Sequence, residues 1–401
     1  MSRLAGSSKL LRAMNEGAAL TYLLERGRLT RADLRELTGL SKPTISEALR
    51  RLTEAGLARV VGHLSGRPGP NAEVYAANPD AAYAIAVSVR SNGDLAGAVS
   101  DLSGQVRGRA DEAVDFGRVD PVDAVAGIIR RLRNAAGLPA DRLTHVQLAV
   151  PASYDARTES FHHVGVAGDW HRPGLVSEVR HRLGTGVGID NDVNLAAVAE
   201  RRRGAARGAD GFALLWLGDD GLGLAIDLGG TLLRGARGGA GEIGYLPLFS
   251  PGHEDSGLNL QDLVGGAGVL ALAAEHGFGG PTPAAAVTAA AAAVTRGTAA
   301  AAAAAASPAA APFFSALASR ITVGLAAVVA VLDPPLVVLA GEVAQAGGPA
   351  LRDAVAAAMV RAEPLETTIA TTAIDDDAVL LGALDAGVTA VHEELISRVA
   401  R

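Results

Sequence analysis

The stretch GIDNDVNLAAVAERRRG, Gly188–Gly204, decides how this 401-residue chain is interpreted. A short apolar strand over Gly186–Asp190 is followed at once by a helix that begins near Asn191. Asn191 and Asp192 therefore lie where a strand ends, and a carboxylate there is well placed to accept hydrogen bonds from two ligand hydroxyls. The two residues can also cap the following helix, and the two roles are compatible.

On both sides of this stretch the sequence predicts a meander of short strands accompanied by helices. Upstream, the turn sequences SNGD and LSG separate three strand patterns, and downstream GFALLWLG, GLGLAIDLGG and TLLRGA form a second meander. The upstream half is predicted to contain strands Ala84–Val89, Leu95–Asp101, Gln105–Ala110 and Thr144–Val150, and helices Pro121–Ala136 and Leu175–Leu183. A late strand-turn-helix, PPLVVLAGEVAQAG, follows alanine-rich Pro283–Pro312, where interrupted helices are expected. Two such halves predict a bilobed α/β body with a cleft between the lobes.

A separate unit precedes this body. Thr30 is placed to cap the short helix TRADLRELTGL, with Asp33 as a capping-box-like partner, and Gly39 to close it. Ser41 is placed to cap the next helix, SKPTISEALRRLTEAGL. Two short helices joined by a tight glycine-containing turn predict a helix-turn-helix. Strand patterns at 57–61 and 73–76 predict a hairpin wing after it.

The third helix of this unit predicts a DNA contact surface, because its apolar residues lie on one face and its polar residues elsewhere. Residues 1–79 also carry 12 Lys and Arg against 7 Asp and Glu, whereas the remainder carries 24 against 36. A basic head on an acidic body favours a polyanionic partner for the head. The predicted DNA contacts are Ser41, Lys42, Thr44, Ser46, Arg50 and Arg51 of this helix, whose N-terminal residues would meet base edges in the major groove, and Arg67 in the minor groove. The alternative is a three-helix protein-interaction domain with solvated arginines.

Composition excludes several classes of protein. The chain has no cysteine, which excludes disulfides and thiolate metal sites. Its apolar stretches are alanine-rich or broken by glycine and charges, and charged and polar residues interrupt the N-terminus. We therefore expect a soluble, cytoplasmic protein.

The chain resembles the ROK family of sugar-responsive repressors and sugar kinases in three features that occur in the family's order: the N-terminal head, the motif IDNDVN and the motif AGEIGY. LDPPLVVLAGEVAQAGGPAL resembles the C-terminal segment of that family, and the resemblance covers nearly the whole chain. It implies an N-terminal winged helix-turn-helix followed by a bilobed, actin-like and sugar-kinase-like (ribonuclease H-like) α/β body. The expected units are residues 1–78 for the head, 79–195 with 384–401 for the first lobe, and 196–383 for the second lobe, which would also carry a dimer surface.

The family resemblance raises the question of kinase activity. In family kinases an Asp-x-Gly-Gly-Thr run in the first body hairpin holds Mg²⁺ and the ATP phosphates. Here Val89 aligns with the Asp, and Ser91 and Asn92 align with the glycines. A similar run, Asp227–Thr231, lies in the second lobe, where a tight β-turn with positive φ at glycine accounts for it. We therefore predict a protein without kinase activity and without a cofactor.

The resemblance also implies a set of effector contacts with several changes. Asp192 and Asn191 occupy the positions of the sugar-binding Asn-Asp pair, and Glu242 occupies that of a second sugar contact. Tyr245 replaces the histidine of the family's zinc site, and Gln261 replaces a sugar-binding glutamate. Trp170 is a further candidate for stacking on a sugar face, although a lone tryptophan more often belongs to the core. These changes predict a ligand other than a plain hexose, or a weak site.

Together these patterns predict a transcriptional regulator, with repression the favoured mode. The expected partners are a palindromic double-stranded DNA operator, a sugar or sugar-derived effector, and a second copy in a homodimer or tetramer, with no membrane partner. One alternative is a ROK sugar kinase with an appended DNA-binding head. Another is a regulator whose degenerate pocket no longer binds sugar.

Overall fold

The computed structural model describes residues 3–64, 72–139, 142–248, 257–300, 309–361 and 366–399. The chain forms an N-terminal winged helix-turn-helix head and an α/β body of two lobes, as the sequence predicts. The head comprises α1 (Arg3–Arg26), β1 (Leu29–Thr30), α2 (Arg31–Thr38), α3 (Lys42–Glu54), β2 (Ala58–Leu64) and β3 (Ala72–Ala77). Its strands pair antiparallel in the order β1-β3-β2.

The predicted helix boundaries in the head are confirmed by their caps. The Thr30 side chain accepts from the Asp33 N–H, and the Asp33 carboxylate accepts from the Thr30 N–H, which completes a capping box. Gly39 ends α2 in the left-handed conformation with φ of 69°. Ser41 caps α3, and β2 with β3 forms the wing. The wing tip, which includes Arg67, lies outside the described residues.

The first lobe is built on a five-stranded sheet in the order β10-β7-β4-β5-β6. Its elements are β4 (Tyr83–Val89), β5 (Leu95–Asp101), β6 (Val106–Glu112), α4 (Pro121–Ala135), β7 (Leu143–Val150), β8 (Ser153–Asp155), β9 (Ser160–His162), α5 (Leu175–Leu183), β10 (Gly186–Asn191) and α6 (Asp192–Arg203). The meander β4-β5-β6 is antiparallel, and β7 and β10 add to it in parallel. Every residue of β4 and β5 is buried, and we infer from this that both faces of the sheet are covered by helices.

The second lobe repeats this arrangement with the strand order β13-β12-β11-β14-β15. Its elements are β11 (Gly211–Leu217), β12 (Leu222–Leu228), β13 (Thr231–Leu232), α7 (Leu260–Val264), α8 (Gly266–Glu275), α9 (Pro283–Ala300), α10 (Ala310–Leu332), β14 (Leu336–Ala340), α11 (Glu342–Arg361) and β15 (Thr368–Thr371); α12 (Ala378–Val399) ends the chain's regular structure. The third strand of this meander is two residues long, shorter than its sequence pattern suggests. α11 is interrupted at Gly348, after which Pro349 starts a second segment.

The alanine-rich region forms helices in its described parts, in α9 and α10. Among the described helices, α10 is long and apolar enough to cross a membrane. Its residues Phe313, Leu317, Ile321 and Leu325 are, however, buried in the second-lobe core beside the β11–β14 strands. This packing accounts for the apolar character of the face of α10 that meets the core, whereas Val331 of the same helix is 80% exposed.

Helices α6 and α12 pack against each other between the two sheets. Leu195 of α6 and Leu384 of α12 lie in one cluster with alanines of the first sheet. Ala196 of α6 and Leu381 of α12 lie in another with Phe212 of the second sheet. The expected lobe boundaries at 195/196 and 383/384 therefore fall inside two helices that belong to both lobes.

The head and the body share a hydrophobic core. Leu20 of α1 and Leu49 of α3 are buried in the same cluster as Val388, Val391 and Leu395 of α12. The head therefore packs directly on the last helix of the body, in addition to being joined to it by the chain.

Candidate functional site

A cleft of about 1020 Å³ opens between the two lobes at the N-termini of α6 and α12. Five of the six predicted effector residues line it: Asn191, Asp192, Glu242, Tyr245 and Gln261. They come from both lobes, since α6 follows the first sheet and the other three follow β12. The fold therefore brings together predicted effector residues that are up to 70 positions apart in the sequence.

Asn191 and Asp192 act as helix caps and also line the cleft. Asn191 Oδ1 accepts from the N–H groups of Val193 and Asn194 at 2.9 and 3.2 Å, and its amide donates to the Ala152 carbonyl. Asp192 Oδ1 accepts from the Val193 N–H at 2.8 Å. Both roles considered in the sequence are thus geometrically compatible, and Asp192 retains further acceptor capacity toward the cleft.

The three second-lobe residues differ in how strongly they are held. Glu242 Oε1 accepts from the Ser153 hydroxyl of the first lobe, which joins the lobes across the cleft. Gln261 Oε1 accepts from the Leu222 N–H at 3.1 Å. Tyr245 is 58% exposed, and its ring centroid lies 4.7 Å from that of His163. With a phenol in the place of the family's zinc-binding histidine and no cysteine in the chain, the residues do not fit a zinc site.

The electrostatics of the cleft favour a protonated acid at Asp192. Desolvation in the cleft raises the pKa of Asp192 to about 7, and the nearby carboxylates Glu242 and Glu342 add to the rise. Desolvation also raises the pKa of Glu342, with Asp219 and Asp220 contributing. Asp192 can therefore exchange a proton near neutral pH, as a carboxyl group in a ligand site often does.

The prediction that Trp170 contacts the effector is wrong. Its side chain is fully buried in the first-lobe core, where its ring lies edge-on to Phe116 and Phe161 at centroid distances of 5.2 and 6.4 Å. Its indole N–H has no hydrogen-bond partner in the described part of the chain. Apolar packing therefore explains this tryptophan.

Sequence reasoning missed most of the charge in the cleft. Besides Asp192 and Glu242, six carboxylate residues line it: Asp219, Asp220, Glu342, Asp375, Asp376 and Asp377. Among the described lining residues, Arg90 is the one arginine or lysine. A signal was available in the triple DDD run before α12 and in Glu342, which follows the strand β14 after a single glycine.

The DLGGT run is a turn outside the cleft. Asp227 is 4% exposed, accepts from the Gly230 N–H at 2.7 Å, and forms an ion pair with Arg201. Gly229 and Gly230 have φ angles of 63° and 88°, as the β-turn explanation requires. Asp227 is not among the described residues that line the cleft. These contacts fully account for the run.

The first body hairpin, in contrast, does reach the cleft. Val89 is buried and pairs with Leu95, and the turn Arg90–Gly93 is closed by the Gly93 N–H donating to the Arg90 carbonyl at 2.9 Å. The Arg90 guanidinium donates to Asp377 at 2.9 Å. This corner of the cleft therefore holds an ion pair between the hairpin and α12.

In the head, the first turn of α3 presents hydroxyl groups and a lysine to solvent. Ser41 and Lys42 are exposed, and Thr44 and Ser46 are half-buried. The hydroxyls of Ser41 and Thr44 lie 2.8 Å apart at the helix N-terminus. Ile45, Leu49 and Leu52 are buried below them. The exposed and buried faces thus follow the predicted division.

Arg50 and Arg51 are held by carboxylates, which the sequence reading did not foresee. Glu47 accepts from Arg50 Nη2 and from Arg51 Nε, both at 2.7 Å, and Glu54 also pairs with Arg50. Arg51 Nη1 further lies 3.5 Å from Glu16 of α1. These bonds lower the pKa of Glu47 to about 2. Any contact of the two arginines with DNA must compete with Glu47.

Comparison with known families and relatives agrees with this architecture. The model of the ROK family matches residues 92–387, and the model of the MarR family matches residues 12–66. The xylose repressor of Bacillus subtilis is 22% identical over 243 residues, which are 59% of this chain. The chain spans 61% of the length of that relative.

Two solved structures share the fold. A ROK family transcriptional regulator, described as a homolog of the E. coli MLC protein, superimposes with a TM-score of 0.74 at 19% identity, covering 98% of this chain and 99% of the other. A ROK family glucokinase from Streptomyces griseus, in complex with glucose and AMPPNP, superimposes with a TM-score of 0.57 at 23% identity over 77% of this chain and 99% of the other. The regulator includes a counterpart of nearly the whole chain.

Proposed function

This chain belongs to the ROK family, and on that premise we propose that it is a DNA-binding transcriptional regulator, acting as a repressor, whose body senses a sugar without phosphorylating it. One observation carries the proposal. A helix-turn-helix with an exposed first turn shares its hydrophobic core with a body whose cleft gathers five sugar-contact candidates. The protein would act in the cytoplasm.

The DNA partner follows from the head. Ser41, Lys42, Thr44 and Ser46 would enter the major groove, since residues at the N-terminus of a recognition helix reach the base edges. Arg50 and Arg51 would approach phosphates after releasing Glu47, and Arg67 would contact the minor groove. A homodimer would place two heads on a palindromic operator. The second lobe would supply the dimer surface, where Val331 of α10 is 80% exposed.

The effector class follows from the charge of the cleft. Eight carboxylate residues face one arginine among the described lining residues, and that arginine is already paired with Asp377. A phosphorylated sugar would bring two further negative charges into this field. An uncharged sugar, or one with a protonated amine, would instead donate to Asp192, Asn191 and Glu242. We therefore propose an unphosphorylated sugar as the effector.

The same field argues against a kinase. A nucleotide would meet Arg90 and its partner Asp377 at the first hairpin, where the Val89 side chain offers no oxygen to Mg²⁺. Glu342 is the first residue of α11, and its carboxylate would repel a phosphate at that helix N-terminus. Among the described lining residues, the cleft thus offers acceptors for sugar hydroxyls, whereas its first hairpin has Val89 and Ser91 where the kinase motif has Asp and Gly.

A thermal-shift panel on the full chain tests the sensor. Xylose, glucose, N-acetylglucosamine and glucosamine would be compared with the 6-phosphates of the last three. We expect at least one unphosphorylated sugar to raise the Tm of wild type. The shift should vanish in Asp192→Asn. It should remain in Asp353→Asn, which removes an exposed carboxylate on α11. Duplex selection from random oligonucleotides tests the head. Sugar phosphorylation from ATP that disappears in Asp192→Asn would overturn the proposal.

A further inference from the structure

Helix α12 extends from the ligand cleft to the DNA-binding head. It has 22 residues, which span about 33 Å at 1.5 Å per residue. Ala378 and Val379 in its first turn line the cleft, and Leu395 near its end is buried in the head core. We propose that α12 couples the two sites, so that the seating of its N-terminus in the cleft sets the orientation of the head. This inference rests on the proposed regulatory function.

The N-terminus of α12 is clamped by two arginines of the first lobe. Arg90 Nη2 donates to Asp377 Oδ2 and Arg109 Nη1 donates to Asp376 Oδ1, both at 2.9 Å. Asp377 also caps the helix, because its other oxygen accepts from the Leu380 N–H at 2.9 Å. A change in the distance between the hairpin and this segment therefore acts on the helix end directly.

The middle of α12 is packed too closely to absorb such a change. A Cβ on Gly387 would lie 3.3 Å from Ala84 Cβ of the first sheet. The buried Asp385 accepts from Arg203 Nε of α6 at 2.7 Å. α12 is thus fastened to α6, which itself begins at Asp192 in the cleft. Rigid elements with tight packing move as units rather than bending locally.

The C-terminal half of α12 carries the head. Val388, Val391 and Leu395 lie in one buried cluster with Leu20 of α1 and Leu49 of α3. A Cβ on Gly17 of α1 would be 3.8 Å from Ile396 Cγ2, so the two helices are in close contact. Because α1 packs on the recognition helix α3, a displacement of α12 reaches the residues proposed to face DNA.

A ligand shifts the equilibrium between two lobe arrangements only to the extent that it binds them with different affinities. A sugar held between Asp192 of the first lobe and Glu242 of the second would favour one separation of the lobes. The clamp residues Arg90 and Asp377 sit at the same cleft, so lobe separation and clamp geometry are linked. The cleft and the head would then respond to a common two-state element.

Hydrogen–deuterium exchange on the full chain, without sugar or DNA, tests the coupling. In the double variant Arg90→Gln/Arg109→Gln the clamp is lost, and we expect exchange to rise about two- to fivefold both in the first turn of α12 and in α1 of the head. The control Arg118→Gln removes an exposed ion pair with Asp115 in the same lobe and should change neither segment. A rise confined to the first turn of α12 would overturn the proposal.

A second variant distinguishes coupling through α12 from coupling through the peptide link between head and body. Ile396→Ala trims the contact with Gly17 outside the cleft and the clamp. Added to the double variant, it should return α1 exchange toward the level of Ile396→Ala alone while leaving the faster exchange at the start of α12. If α1 still responds fully, the contact between Ile396 of α12 and α1 does not transmit the change, and the proposal fails. Failure to select any duplex would instead count against the regulatory function, independently of this result.

Discussion

Gly382 of α12 lies so close to Leu195 of α6 that a Cβ at this position would stand 1.7 Å from the Leu195 carbonyl oxygen. The helices α6 and α12, whose N-termini line the cleft, are therefore in backbone contact one turn below it. This approach requires glycine, although glycine is otherwise unfavourable inside a helix. It explains how α6 and α12 can occupy a single layer between two sheets.

Gly382→Ala should destabilise the protein, opposite to the usual effect of this change in a helix. Alanine normally gains about 1 kcal/mol over glycine by helix propensity. Here the methyl group would force α6 and α12 apart, and we expect a net loss of about 1–3 kcal/mol, as for other overpacked cores. Urea unfolding gives the free energy directly, and Gly127→Ala in α4, where a Cβ meets nothing within 4 Å, is the matched control. A stabilised Gly382→Ala variant would disprove the close packing.

Asp192 should make stability depend on pH near neutrality. Its pKa is about 7 in the fold, whereas an unfolded Asp has about 3.9, so the folded state holds the proton more tightly. The contribution to stability is complete below pH 4 and is lost as the pH rises through 7. We expect wild type to lose about 1–2 kcal/mol relative to Asp192→Asn between pH 5 and pH 8, because solvent reduces the full effect.

The measurement is a series of Tm values for both proteins from pH 5 to pH 8, with Asp353→Asn as the control for a solvated carboxylate. Parallel curves for wild type and Asp192→Asn would show that Asp192 is ordinary in its ionisation. A sugar that donates hydroxyls to the ionised carboxylate should also bind more tightly above pH 7 than below it.

Glu47→Gln should strengthen DNA binding and steepen its salt dependence. Glu47 engages both Arg50 and Arg51, so its loss frees two cations for phosphate contact. Each additional neutralised phosphate adds about −0.9 to the slope of log K against log salt concentration. Fluorescence anisotropy with a selected duplex between 50 and 200 mM salt (about the range in which this term is resolved) measures the slope. Glu36→Gln makes the same charge change on α2, and equal slopes for both variants would rule out competition by Glu47.

The sequence predicted the elements whose signals are local. The capping box of Thr30 and Asp33, the stop at Gly39 and the strand-to-helix step at Asn191 depend on neighbouring residues, and the structure has each of them. The cleft lining was foreseen at Asp192, Glu242 and other positions because the order of motifs resembles a family with a known arrangement. The caps and the stop are features that a short stretch of chain determines by itself, whereas the cleft lining was inferred from the resemblance.

The remainder depended on contacts between distant residues. Arg90 and Asp377 are 287 positions apart, so no local pattern could pair them. Trp170 was assigned to the cleft on residue type, whereas its burial depends on Phe116 and Phe161. Arg50 was interpreted as a free cation although Glu47, one turn before it, was available as an (i, i+3) partner. That last error could have been avoided from the sequence.

Gly230→Ala should cost stability and leave ligand binding unchanged, because the DLGGT run is a turn and not a phosphate loop. Gly230 has φ of 88°, and a Cβ there meets nothing within 4 Å, so the cost comes from the backbone conformation alone. We expect a loss of about 1–2 kcal/mol in urea unfolding, typical of a non-glycine residue in this region. Asp227→Asn should also destabilise, since the carboxylate pairs with Arg201 and caps the turn. In both variants the Tm shift caused by an active sugar should match that of wild type, in contrast to Asp192→Asn. If wild type binds AMPPNP and Gly230→Ala does not, the run is a phosphate site and its interpretation as a turn fails.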